Sequence, residues 1–201
     1  MKTIIMTLSL FTLVAFTGIR NGLTKEERAA AVTELNSSHD HLLIALRNLS
    51  EEQMNFKSDA DNWSIAECVE HITISELTFS EMLQGLLETP ANPANRAEIK
   101  ISDKQLIAMI VDRSQKVKTQ KPFEPTGKFG SHEATLTSFK TSRKANIEFA
   151  KTTDADLRNR TQQFPFGTVD AYQVLLFTSA HTERHVRQIE ELLLHQDFPK
   201  E

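Results

Sequence analysis

The sequence predicts an all-α protein organised as one domain, and three observations carry that expectation. With 201 residues, 39% hydrophobic and 25% charged, the chain can bury one sizeable core without dividing in two. Six glycines and six prolines are few for this length. Strand-like alternation of apolar and polar residues is scarce. The formal net charge of −4 is spread along the chain with no basic stripe, which argues against a nucleic-acid partner. A single cysteine, Cys68, rules out an intramolecular disulfide.

Residues 1–17 have a short positive start, an apolar stretch of about 14 residues, and Ala15 and Thr17 placed for cleavage before Gly18. They are expected to be an export signal, taking the protein to the periplasm or outside, or else an uncleaved N-terminal anchor. No later segment approaches the roughly 20 apolar residues that span a bilayer. Thr24 and Glu27 form a capping box that opens a helix to about Asn48, with Arg28, Val32, Leu35, His39, Leu42 and Leu46 as its inner stripe. On that register His39 turns inward to a core or supporting hydrogen bond, and His41 turns to solvent. Leu49 to Asn62 reads as a polar linker.

Ser64 and Glu67 form a second capping box, with Trp63 placed to staple against Cys68. The helix they open runs to about Glu88 and turns Cys68, His71, Ser75, Met82 and Leu86 inward. Thr89 to Asn95 breaks it and begins a crossover too long for a hairpin. A further helix is expected from Ser102 to about Lys118, packing through Leu106, Ile107, Ile110, Val111 and Val117. Thr119 to Gly130 is a loop whose Phe123 and Phe129 either cover an edge of the protein or close a pocket mouth. Ser131 opens a helix to about Thr152 that carries Arg143 inward, where an unpaired charge would be costly, so a structural ion pair is expected there ahead of an anion-binding site. Asp154 to Thr168 is expected to be irregular, and Asp170 with Gln173 caps the last helix, stapled by Val169 and Val174.

That last helix carries the chemistry. At about 100° per residue, Val174, His181, His185 and Leu192 share one stripe, flanked by Phe177, Thr178, Gln188 and Ile189, while Glu183, Arg187, Glu190 and Glu191 lie away from it. One inward histidine reads as a satisfied core hydrogen bond. Two at this spacing can bring ring nitrogens to one ion, and His71 supplies a third nitrogen of an open site. A zincin is excluded, because Thr182 stands where that motif has glutamate and Glu183 points about 160° from the stripe. Glu67, one turn before His71, is a candidate catalytic carboxylate behind His71 or a bound water, although its capping role accounts for it equally well. Cys68 is a soft ligand or a buried packing residue under Trp63. Imidazole donors suit zinc, nickel, iron or manganese.

Trp63-Ser-Ile-Ala-Glu-Cys-Val-Glu-His71, followed by His181-Thr-Glu-Arg-His-Val-Arg-Gln-Ile189, resembles the DinB-like superfamily of bacterial helical bundles. The resemblance covers about residues 25–195 and takes in the loop around Pro122 to Gly127. It implies a domain over residues 24–195, a four-helix bundle with a long crossover and an additional helix. It also implies a divalent metal ion held by His71, His181 and His185. Members resemble metal-dependent hydrolases or thiol-dependent enzymes, among them transferases using bacillithiol and an isomerase using mycothiol. The expected function is therefore a metal-dependent enzyme that activates water or a thiol against a small-molecule substrate. The alternative is a non-catalytic metal-binding or stress-related module. A homodimer is compatible with the sequence, which does not set the oligomeric state.

Overall fold

Local capping chemistry places the helix starts. In a computed structural model that describes residues 22–200, Thr24, Ser50, Ser64 and Ser102 each accept the amide three residues on. In return Glu27, Gln53, Glu67 and Gln105 accept the amide of the cap itself. These boxes open α1 (Lys25–Ala45), α2 (Glu51–Asn55), α3 (Ile65–Glu88) and α4 (Asp103–Val111). Ser131 caps α5 (His132–Thr152) through its hydroxyl. Asp170 and Gln173 then close the last box at the start of α6 (Ala171–Leu193).

The bundle is α1, α3, α5 and α6, each packing against two of the others, with α4 laid outside on α6. Cross-helix bonds give the directions. Tyr172 donates to the Glu27 carbonyl, Ser38 meets Ser179, and His41 meets Glu190, so α1 and α6 run parallel. Arg143 binds Glu76 and Asn146 binds Ser80, so α3 and α5 run parallel too, and the chain between them is the expected long crossover. The α3–α6 and α1–α5 pairs are antiparallel, as His71 against His185, Phe79 against Phe177 and Arg28 against Ala150 require.

Two apolar clusters fill the interior, one around Leu35, Phe79, Leu83 and Tyr172, the other around Leu42, Ile65, Phe139 and Ile189. Between them lies a polar layer. Arg143 is wholly buried there and places all five of its N–H groups, two on the Glu76 carboxylate and the rest on the Leu35 carbonyl, Ser38 and Thr182. The expected ion pair is thus present, and Asn146 adds a donor to Glu76.

Several boundaries differ from expectation. The α4 helix stops at Val111, because Asp112 accepts the Ser114 amide and hydroxyl while Arg184 from α6 takes the carbonyls of Ile110, Asp112 and Gln115. Val117, expected to pack, is 75% exposed. The polar linker contains α2, whose Gln53 also donates to the Pro199 carbonyl. The stretch expected to be irregular holds a hairpin, β1 (Thr161–Phe164) paired antiparallel with β2 (Gly167–Asp170) around Pro165 and Phe166. The buried face of α1 is Ala31, Leu35, Ser38 and Leu42, because Ser38 is drawn into the polar layer and Arg28 reaches out to the α5 carbonyls of Ala150 and Thr153. Residues 1–17, read as an export signal or anchor, lie outside the described residues. No described helix is long and apolar enough to cross a membrane.

Candidate metal centre

The antiparallel packing of α3 on α6 brings three imidazoles together. His71 Nε2 is 3.2 Å from His181 Nε2 and 3.1 Å from His185 Nε2, and one ring nitrogen from each residue lies within 4.8 Å of the others. Both α6 histidines face α3 because the opposite side of that helix is committed to α1 through Ser179, Glu183 and Glu190. His71 and His185 are buried, and His181 is half-buried.

Hydrogen bonds on the far side of two rings fix their tautomers. His71 Nδ1–H donates to the Phe123 carbonyl at 2.7 Å, and a carbonyl can only accept. His185 Nδ1–H donates to Gln188 Oε1 at 3.0 Å. That oxygen also accepts from Arg113 Nη1, a group that can only donate, so the amide orientation is not in question. In both neutral rings Nε2 therefore carries a lone pair and no hydrogen. Two lone pairs facing each other at 3.1 Å repel unless a cation lies between them.

Charge does not relieve this by protonation. Burial pulls all three imidazoles below the ordinary histidine range, His181 well below it and His185 down to about 3, and a positive charge on any one of them disfavours the next. Arg184 pushes His181 and His185 the same way, and Arg113 adds to it at His185. The set is thus neutral at pH 7, with lone pairs spaced close to the roughly 3.3 Å that separates ligands about 2.05 Å from a tetrahedral ion. These donors fit a divalent cation.

Aromatic side chains wall the cluster. Trp63 lies 4.8 Å from His71 and 6.3 Å from His185, centroid to centroid, and Phe79 and Phe177 stand 5.6 Å and 5.9 Å from His181. Phe123 packs on Phe79 while its carbonyl holds His71, so of the two roles considered for this loop residue it closes the site. A cavity of about 550 Å³ reaches the cluster, lined by Trp63, Arg113, His185 and Gln188 among others. A larger groove of about 760 Å³ lies across α6, against α1 and α4, and touches none of the three histidines.

The remaining sequence candidates fall elsewhere. Both oxygens of Glu67 are taken by its own cap and by Lys57, and no hydrogen bond joins it to His71 among the described residues. Cys68 is fully buried beside Ile65 and Ile72, burial pushes its thiol up to about 12, and its sulfur is not among the ligand atoms that converge at the three imidazoles. His39 stacks on Phe139 and bonds Asp40, and it is not one of the converging ligand groups. His41, expected in solvent, is clamped between Glu183 and Glu190. Sequence reasoning missed Glu70, whose buried carboxylate accepts the amides of Thr126, Gly127 and Lys128 and so anchors the loop that reaches His71. It saw Gln188 beside the stripe but assigned it no role, since its partner Arg113 is 75 positions away.

A four-helix bundle with an interior cluster of three imidazoles defines the class of protein, and the family follows from the sequence match. Residues 34–189 match the model of the DinB superfamily, and the chain belongs to that superfamily. Among relatives, it is 25% identical over 148 residues to the uncharacterized protein YuaE of Bacillus subtilis strain 168, covering 73% of this chain and 87% of the relative. Among solved structures it is similar in fold to YfiT from Bacillus subtilis, described as a probable metal-dependent hydrolase with an unusual four-helix bundle topology. That likeness has a TM-score of 0.57 at 14% identity, covering 86% of this chain and 89% of YfiT.

Proposed function

We propose that His71, His181 and His185 hold a divalent metal ion and that the protein is a metal-dependent hydrolase acting on a small molecule. One observation carries the reading: two nitrogens that cannot bear hydrogen face each other at 3.1 Å. A divalent ion bound there would supply Lewis acidity, which lowers the pKa of a water or thiol that reaches it. The chain's own contribution is to keep the three imidazoles neutral, to orient two of them from behind, and to exclude bulk water with Trp63, Phe79, Phe123 and Phe177. The description of YfiT favours hydrolysis over thiol transfer, for which the same donors would serve. Zinc, nickel, iron and manganese all suit three imidazoles.

Elemental analysis of protein purified without chelator should find about one equivalent of metal, lost in His71→Ala and in His181→Ala. Metal-free wild type, or full metal content in either variant, would sink the reading. We also propose that the chain is exported with residues 1–17 removed. Intact mass of the mature protein should then place its first residue at Gly18, and an uncut chain would refute this.

A further inference from the structure

His185 differs from His71 in being held by a side chain, and that side chain is itself held. Gln188, three residues on along α6, presents Oε1 to His185 Nδ1 at 3.0 Å, and the same oxygen accepts from Arg113 Nη1 at 3.3 Å. The rest of the guanidinium forks onto Glu191, with Nε and Nη2 at 2.7 and 2.6 Å from the two carboxylate oxygens. His185, Gln188 and Glu191 thus form one stripe of α6. Arg113, two residues past the end of α4, closes it from outside.

We infer that Gln188 and Arg113 are positioning residues: together they hold the His185 imidazole with Nδ1 protonated and Nε2 bare and aimed at the other two rings, and so set how tightly the site takes a divalent cation. The cation half of this rests on the metal reading above; the tautomer half does not. Without Gln188, the neutral ring would be free to carry its hydrogen on Nε2, where it would block the site. The choice of an amide matters as well. A carboxylate behind a ligating histidine raises its basicity. An amide oxygen already shared with a guanidinium accepts more weakly and leaves the imidazole a weaker donor. Glu191 keeps the guanidinium in register for that shared bond.

The test uses the full chain as wild type, Gln188→Ala, Gln188→Glu, Arg113→Ala and the Arg113→Ala/Gln188→Ala double variant. Imidazole nitrogen shifts of the metal-free protein report the His185 tautomer, and competition with a chromogenic chelator reports zinc affinity. Wild type should show His185 with hydrogen on Nδ1. Gln188→Ala should mix the tautomers and weaken zinc binding about tenfold to a hundredfold. Gln188→Glu, which keeps an acceptor, should restore the tautomer and bind zinc at least as tightly as wild type. Arg113→Ala should change zinc affinity alone but not in the Gln188→Ala background. A wild-type tautomer and affinity in Gln188→Ala would overturn the inference, as would an Arg113→Ala effect of equal size in both backgrounds. If wild type takes no zinc and elemental analysis finds no other metal in it, the metal reading fails, and the tautomer arm alone decides whether these residues position His185.

Discussion

Burial and the choice of partner send His41 one way and His71, His181 and His185 the other from the same ordinary histidine pKa. At His71, His181 and His185 burial is the largest cause and favours the neutral ring. The unfolded chain therefore binds protons below about pH 6.5 that the folded chain refuses, so stability is complete above that value and is lost as pH falls. Urea denaturation of metal-free protein should show the midpoint dropping between about pH 6.5 and 4. The drop should be smaller in His185→Gln, and equal drops in the two proteins would contradict the assignment. At His41 burial opposes charge, but hydrogen bonds to Glu183 and Glu190 outweigh it and raise the pKa. Its contribution is complete below about pH 6.5 and is lost as pH rises through the folded value. Because the ring is half-exposed, His41→Gln should cost only about 0.5–1 kcal/mol at pH 6, and less at pH 9. An equal cost at both pH values would show that the clamp does not depend on charge.

Elements divide by where their signals lie. Helix starts were legible because a capping box is a contract between residues three apart, and the starts at Thr24, Ser64 and Asp170 were read from it. The end of α4 was not, because Arg184 captures the carbonyls there and just beyond from a helix 69 to 74 positions away. Hairpin β1–β2 is short, and its residues show little alternation to announce it. The loop after α4 is the element on which the site depends. Glu70 gathers three of its successive amides at 2.9–3.1 Å, around Gly127 in the left-handed region at φ 74°. Replacing Glu70 with Ala should cost about 1–3 kcal/mol, since three loop amides lose a charged, buried acceptor. Hydrogen exchange at residues 126–128 should rise with it, and zinc affinity should fall as the Phe123 carbonyl loosens from His71. Unchanged protection of those amides would show the loop to be held by something else.

At the scale of the whole molecule, the bundle is two apolar clusters joined through a polar layer in which Glu76 and Arg143 are both fully buried. Five bonds satisfy the guanidinium, so removing it strands a carboxylate in the interior. Arg143→Ala should cost about 3–5 kcal/mol by chemical denaturation. The apolar pair Arg143→Met with Glu76→Leu should recover most of that, because neither charge is then left unpaired. A double variant as unstable as the single would mean that the layer holds the helices in register by more than charge balance.

The sequence by itself determined the fold class, the capped starts of the long helices and the three inward histidines, since each is set by spacing along one segment. It also showed that Arg143 needed a partner, without naming Glu76. Only the tertiary structure decided that Glu67 serves its cap, that Phe123 and Gln188 stand behind the imidazoles, and that Trp63 covers them. The contacts that settle the loop and the glutamine reach 52 positions, from Phe123 to His71, and 75, from Arg113 to Gln188. Helical periodicity says which way a side chain points, and what it meets there is settled by how the helices pack.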